Sequence, residues 1–200
     1  MAGLAIAHWP PVRGRLAALG GPAVDPRATA EVLLRSLKRE RWLVVLTAQP
    51  WVVVSARYSR TLAGSEVPGT RSRRTLIVPG TVRYALDLDR MGPEDLAWDA
   101  ATTTLTIRRP RVAVLEPAAD LARIQRFDEQ GLLAPFTDAD RELDALTRTE
   151  VARGLQRAAQ ASDLLREAEK AADAALARTF ALPLRAAGMG DVRVVVRPQG

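Results

Sequence analysis

Cysteine is absent from these 200 residues and lysine nearly so. Without a thiol there is no disulfide, no thiolate nucleophile and no zinc-thiolate site, and the chain is indifferent to redox compartment, so cytoplasm and periplasm both stay open. The basic residues are twenty-seven arginines against two lysines, Lys38 and Lys170. Beside abundant alanine, that skew reflects GC-rich coding. The formal charge of +6 and the pI near 10.8 therefore carry little weight as evidence of a nucleic acid partner. The single histidine is His8, so Ser/His/Asp or metal-histidine chemistry would have to rest on an irregular N-terminal stretch. Aromatics make up only 4% and do not interleave with the arginines, which argues against base stacking. Nor does any run reach the roughly eighteen apolar residues of a membrane-spanning helix.

What is present is a 48% hydrophobic chain, enough to bury a real core in one domain. Its charge is uneven. Residues 1–115 hold seventeen basic and nine acidic side chains, whereas 116–200 hold twelve and fourteen, so two regions of different character follow. The start, MAGLAIAHWPP, is an apolar stretch ending in Trp9 with Arg13 and Arg15 beyond it, the order in which a membrane helix meets the interface. A locally packed N-terminus fits the same residues. There is no basic region ahead of the apolar stretch, as a signal peptide would need. Residues 1–26 therefore read as an apolar start and Pro/Gly linker, the possible remnant of a membrane anchor, and 27–200 as a single α+β domain.

Within that domain, Asp25 and Pro26 supply an N-cap and a proline at the first helical position. The helix predicted over 28–41 places Val32, Leu33, Ser36 and Leu37 on one face and Arg35, Lys38, Arg39 and Arg41 mostly on the other. Segments 42–115 read as a mostly antiparallel twisted sheet. WLVVLTAQPWVVVSARY is dense in β-branched and aromatic residues with a break at Pro50, and TLIVPGTVRYALDLDRM reads as two strands around a Pro79–Gly80 turn. LAWDAATTTLTIRRPR reads as a hairpin. Along its second strand Leu105, Ile107 and the stem of Arg109 share one face, with Thr104, Thr106 and Arg108 on the other.

After residue 115 the period changes. AADLARIQRFDEQGLL is predicted as a short helix closed by Gly131. A long helix is predicted over about 137–180, with Val151, Leu155, Ala158, Ser162, Leu165, Ala172, Leu176 and Phe180 as its stripe, ended by Pro183. At 1.5 Å per residue it would span about 60 Å and outrun a small domain. Leu155, Leu165, Leu176 and Phe180 are then candidate contacts for a protein partner or for self-association. A final strand is predicted over about 191–197.

Three constellations carry possible chemistry. Asp87, Asp89, Glu94, Asp95 and Asp99 cluster around one turn, a layout that a hydrolase or metal-dependent enzyme could use. They lack the EF-hand ligand order, and turn and cap roles explain them equally well. PGTVRY and GMGDV lack the helix that a phosphate-cradling glycine loop requires. Arg57, Arg60, Arg71, Arg73 and Arg74 form a basic loop surface. If Arg108 and Arg111 share its side, that surface becomes a candidate site for lipid headgroups, other anions or nucleic acid; otherwise the arginines are a charged guard against edge pairing. No cofactor is implied.

The order of WLVVLTAQPWVVV, GTVRYALDLDRM, LTIRRPRVAVLEP, FDEQGLLAPFT and a long alanine-rich helix resembles the bacterial domain-of-unknown-function 4230 family over roughly residues 30–197. Arg109 and Val112 flank Pro110 and Arg111 where many relatives have an apolar residue and a second proline. The resemblance implies a membrane-anchored protein whose soluble part lies outside the cytoplasm, and it lends no catalytic residues. The layout is also similar, in architecture alone, to stomatin and prohibitin domains. The expectation is a non-enzymatic, membrane-proximal interaction or scaffolding module.

Overall fold

The computed structural model describes residues 25–133 and 138–199; His8 and the anchor-like start lie outside them. Helix α1 (Pro26–Leu37) opens as expected, with the Asp25 carboxylate accepting from the Arg27 N–H at 2.9 Å. Its buried face is turned from the predicted one. Ala30 and Leu34 are buried with Leu33 and Leu37 packed beside them, while Val32 is more than half exposed.

The chain then lays down β1 (Trp42–Ala48) and β2 (Trp51–Tyr58), broken at Gln49–Pro50. A small hairpin follows, β3 (Thr61–Leu62) and β4 (Ser65–Glu66), turning through Ala63 and Gly64. Both have positive φ, the conformation that suits a two-residue hairpin. The axis of the fold is β5 (Ser72–Asp87), sixteen residues without interruption, roughly 50 Å at 3.2–3.4 Å per residue.

The expected turn at Pro79–Gly80 is therefore corrected: the two predicted strands are one. Proline is tolerated there because the flanking strands change at that level. β2 pairs with the first half of β5 and β1 with the second, both antiparallel. Pro79 turns its carbonyl, and so its missing N–H, to the other side of β5, where β9 has ended at Ala119 and β10 starts only at Gln125, so no ladder waits for that N–H. Instead the Gly80 N–H donates to the Pro50 carbonyl at 2.9 Å, and the Asp120 N–H donates to the Pro79 carbonyl at 2.8 Å.

The predicted hairpin forms from β6 (Leu96–Asp99) and β7 (Thr104–Arg109). Two short strands, β8 (Ala113–Val114) and β9 (Ala118–Ala119), continue along the far side of β5. The helix expected over 118–133 is replaced by β9, a single 3-10 turn at Leu121–Arg123 and strand β10 (Gln125–Glu129), antiparallel to β5. The physical reason is tertiary. A free edge of β5 offers a ladder, and a strand puts Asp128 on the face where Arg74 is buried.

The long helix is also corrected. It is two helices, α2 (Ala139–Ala159) and α3 (Ser162–Ala186). Ala161 is extended, and the Tyr84 hydroxyl donates at 3.0 Å to the Ala159 carbonyl, satisfying one acceptor that the end of α2 leaves free. Ser162 and Asp163 then open α3. Pro183 does not end it: the helix runs on to Ala186, where Gly188 with φ 97 follows.

The break lets both halves fold onto one core instead of projecting. α2 lies on β2, packing Leu155 against Val52 and Val54. α3 lies across β1 and α1, burying Ala172, Leu176, Phe180 and Leu184 with Leu86, Leu105 and Ile107. Strand β11 (Arg193–Pro198) closes the fold by pairing parallel to β7, so the second sheet runs β11-β7-β6. The architecture is α+β with antiparallel sheets and this one parallel pair.

Two glycines set the helix-to-sheet distance. A Cβ on Gly154 of α2 would stand 2.4 Å from Val52 Cγ1, and one on Gly80 would stand 2.2 Å from Leu155 Cδ2.

Candidate functional site

Strand alternation divides the first half of β5 and its two neighbours into an inner and an outer face. On the inner face Val52, Val54 and Ala56 of β2 align with Val78, Leu76 and Arg74 of β5, and α2 covers them. On the outer face Trp51, Val53, Ser55 and Arg57 align with Pro79, Ile77, Thr75 and Arg73, while Phe127 of β10 stands opposite Thr75. No helix covers this side among the described residues. Trp51 is 57% exposed, Val53 65% and Phe127 56%, and together they form an apolar patch on this face. Ser55 and Thr75 hydroxyls bond across its middle at 3.0 Å.

At the β3–β4 end, the sheet runs into a groove of about 510 Å³ lined by Arg57, Tyr58, Ser59, Glu66, Arg71, Ser72, Arg73, Glu129 and Gln130. Its electrostatics are uneven. Glu66 forms an ion pair with Arg71 and accepts from the Ser59 hydroxyl at 2.9 Å. The hydrogen bond from Arg71, then that from Ser59, hold its carboxyl below the usual range. Arg57 and Arg73 are direct cross-strand neighbours, both exposed; Glu129 of β10 stands opposite Arg73 on its other side, and neither arginine makes a close ion pair among the described residues. Like charges directly opposite on a sheet repel, and here Glu129, the cross-strand neighbour of Arg73 on β10, offsets part of that repulsion, which a bound anion would relieve further.

Arg74, one residue along, has a different fate because the strand period turns it inward. It is 1% exposed and held by Asp128 at 2.8 Å, by Asp140 at 2.7 Å and by Asp144. Burial works against its charge. The hydrogen bonds and charges of the three aspartates more than offset that, holding the guanidinium above the ordinary arginine range. Arg74 thus fastens β5 to β10 and to the first turns of α2, with no nitrogen turned toward the groove.

Arg109 does the same for the second sheet. It is 2% exposed, as the predicted alternation along TLTIRR requires, and it grips Glu169 and Asp173 of α3, the latter at 2.5 Å. Arg108 faces the other way, donating to the Glu94 carbonyl at 2.7 Å beside Asp95. β7 is the middle strand of its sheet, so the arginines of RRPR do not guard an edge. Arg111 is exposed. Neither Arg108 nor Arg111 lines the groove of Arg71 and Arg73, and the structure does not bring the two basic segments together.

The carboxylates of 87–99 serve the local chain. Asp87 accepts from the Asp89 N–H and pairs with Arg90, and Asp89 pairs with Arg41. Asp95 accepts from the Gly92 N–H, and Asp99 from the Ala101 N–H and the Thr102 hydroxyl. Glu94 stands exposed beside them. No group of three His, Cys, Asp or Glu side chains placed to hold a metal ion occurs among the described residues. Leu155, Leu176 and Phe180 are buried in the protein's own core and Leu165 is half-buried against Val82 and Tyr84, so the helical stripe is already occupied.

Trp51, Val53 and Phe127 are the residues that sequence reasoning missed. Trp51 and Val53 lie in a run read as strand from its β-branched and aromatic residues, with no face assigned, and Phe127 lies in a segment read as helix. The signal that separates them is the period of two, which sets Trp51 and Val53 against Val52 and Val54.

A family model described as "Protein of unknown function (DUF4230)" matches residues 36–194, from within α1 to within β11. Since the match covers most of the chain, the protein belongs to that family. No curated protein and no solved structure matches it.

Proposed function

We propose that this member of the DUF4230 family is a non-enzymatic interaction module that works beside a membrane, and that it meets an anionic membrane surface with the outer face of the β2–β5–β10 sheet. The observation that carries the reading is the joint exposure of Trp51, Val53 and Phe127 on one face left uncovered among the described residues, next to the exposed Arg57 and Arg73. Large exposed apolar patches mark contact sites. Aromatic residues flanked by arginines suit the headgroup level, where each basic residue near an anionic leaflet contributes about 1 kcal/mol. An anchor preceding the domain, expected from the apolar start, would hold this face within reach of the bilayer, with the domain on the extracytoplasmic side.

The test is pelleting of the protein with vesicles of phosphatidylcholine alone and with added phosphatidylglycerol. Binding is expected only to the anionic vesicles, weakened by salt, and lost in Trp51→Ala/Phe127→Ala and in Arg57→Ala/Arg73→Ala. Equal recovery from both vesicle types, or variants that bind like wild type, would overturn the reading. A second reading, a soluble anion binder, is favoured by the Arg57–Arg73 repulsion alone. It predicts that the arginine pair matters and the aromatic pair does not.

A further inference from the structure

β2 is hydrogen-bonded on one side only. Its eight residues keep unbroken register with β5, from Trp51 opposite Pro79 to Tyr58 opposite Ser72, and among the described residues nothing pairs with its other edge. Proteins normally guard such edges with charge, proline, bulges or brevity. Other edges here follow that rule. β1 has a bulge between Val44 and Leu46, β10 carries three charged residues in five, β6 is four residues long, and β11 begins on an arginine and ends on a proline. From Trp51 to Ala56, β2 has none of these.

We propose that this unguarded edge is where a second copy of the chain adds, β2 against β2 and antiparallel about a two-fold axis, so that the two sheets become one. Facing residues of an antiparallel pair point to the same side, so odd positions must face odd and even must face even. Of the registers that obey this, the one centred on Val54 uses Trp51–Arg57 completely. It sets Val54 against Val54 and Val53 against Ser55, and it lays Arg57 of each copy beside Trp51 of the other.

That last contact gives the choice of partner its physical basis. Arg57 faces Arg73 within its own chain and has no carboxylate partner among the described residues. In the dimer it gains an indole face that is 57% exposed in the single chain. Centring on Val53 instead leaves Arg57 opposite Gln49, beyond the strand, and centring on Ser55 leaves Trp51 opposite Ser59. The isologous geometry is that of the commonest closed assembly. It also joins the outer faces of the two copies into one surface, but it does not rest on the membrane reading.

The experiment is the solution mass of the full chain by light scattering, without vesicles. Wild type is expected to rise with concentration to twice the 21.7 kDa of one chain. Val53→Lys/Ser55→Lys, both at exposed positions, sets lysine against lysine at two places and should stay at the single-chain mass with unchanged circular dichroism. Val53→Glu/Ser55→Glu should do the same alone. An equal mixture of the two variants should recover the doubled mass, because each lysine then faces a glutamate. A wild type that stays single up to millimolar concentration, a lysine variant that still doubles, or a mixture that stays single would each overturn the proposal. A doubled wild-type mass without vesicle binding would remove the membrane reading and leave this one standing.

Discussion

Gly154→Ala is expected to destabilise the protein, against the rule for helices. Glycine in a helix interior costs about 1 kcal/mol relative to alanine, so Gly154 sits in α2 at a loss unless something else requires it. The requirement is space. The added Cβ would stand 2.4 Å from Val52 Cγ1, well inside van der Waals contact. Val52 is β-branched, buried on β2 and 8% exposed, so it cannot swing away from a stiff χ1 without striking its neighbours. Overpacking of this kind costs about 1–3 kcal/mol. With so stiff a neighbour the upper part of that range applies, and after the helical gain a net loss of about 1–2 kcal/mol remains.

Urea unfolding with an unchanged slope would read this directly, and a thermal midpoint should fall by about 2–4 °C for each kcal/mol in a chain of this size. The decisive control is Val52→Ala. Alone it leaves a cavity and costs about 2 kcal/mol, but in its background Gly154→Ala should become stabilising by about 1 kcal/mol, because the methyl now fills the space. The cycle therefore predicts a coupling of about 2–3 kcal/mol between the two positions. A Gly154→Ala variant more stable than wild type, or additivity in the double variant, would refute the close-approach argument.

Arg74→Ala should cost about 1–3 kcal/mol, since the charged hydrogen bonds are lost but the exposed Asp140 and Asp144 are left to water rather than as buried charges, and should speed amide exchange in the first turns of α2 more than in α3. Arg74→Lys should recover only part of that, since an ammonium cannot reach three aspartates with one fork. Asp128 supplies the pH dependence. Its burial raises its pKa, but the hydrogen bonds from Arg74 and Arg126 and their charges outweigh that and hold it below the ordinary value. A lowered folded value means stability that is complete above the unfolded pKa of about 4 and is lost as pH falls through the folded one. Asp128→Asn should flatten that acid limb while lowering stability at neutral pH; an acid limb as steep as wild type would refute the assignment.

Much of the fold was legible because it is written in local periods. The α1 cap, the Pro50 break, the β6–β7 hairpin and the alternation that buries Arg109 beneath an exposed Arg108 all follow from neighbours in sequence. What misled was chemistry whose partner lies far along the chain. Pro79–Gly80 looks like a turn until Pro50 and Asp120 are seen to take its hydrogen bonds. Residues 125–129 look helical until Arg74, more than fifty residues earlier, claims Asp128. The apolar stripe of 151–180 looks continuous because a break of two residues keeps steps of three and four nearly in phase. Only the Ser162–Asp163 pair marks the restart, and Tyr84 fixes it from another strand.

The candidate site divides the same way, and the division bears on function. Arg73 and Arg74 are indistinguishable in composition, yet the strand period sends one to an open groove and the other to a buried fastener. A basic run on a strand is thus half available at most. The same period applied to WVVVSAR exposes Trp51 and Val53 while burying Val52 and Val54. An alternating strand at an uncovered edge spends half its apolar residues on solvent, and neither packing nor solubility gains from that. The contact with another surface proposed above would account for that exposure, and so the outer face of β2, rather than the buried helical stripe, is where a partner is to be sought.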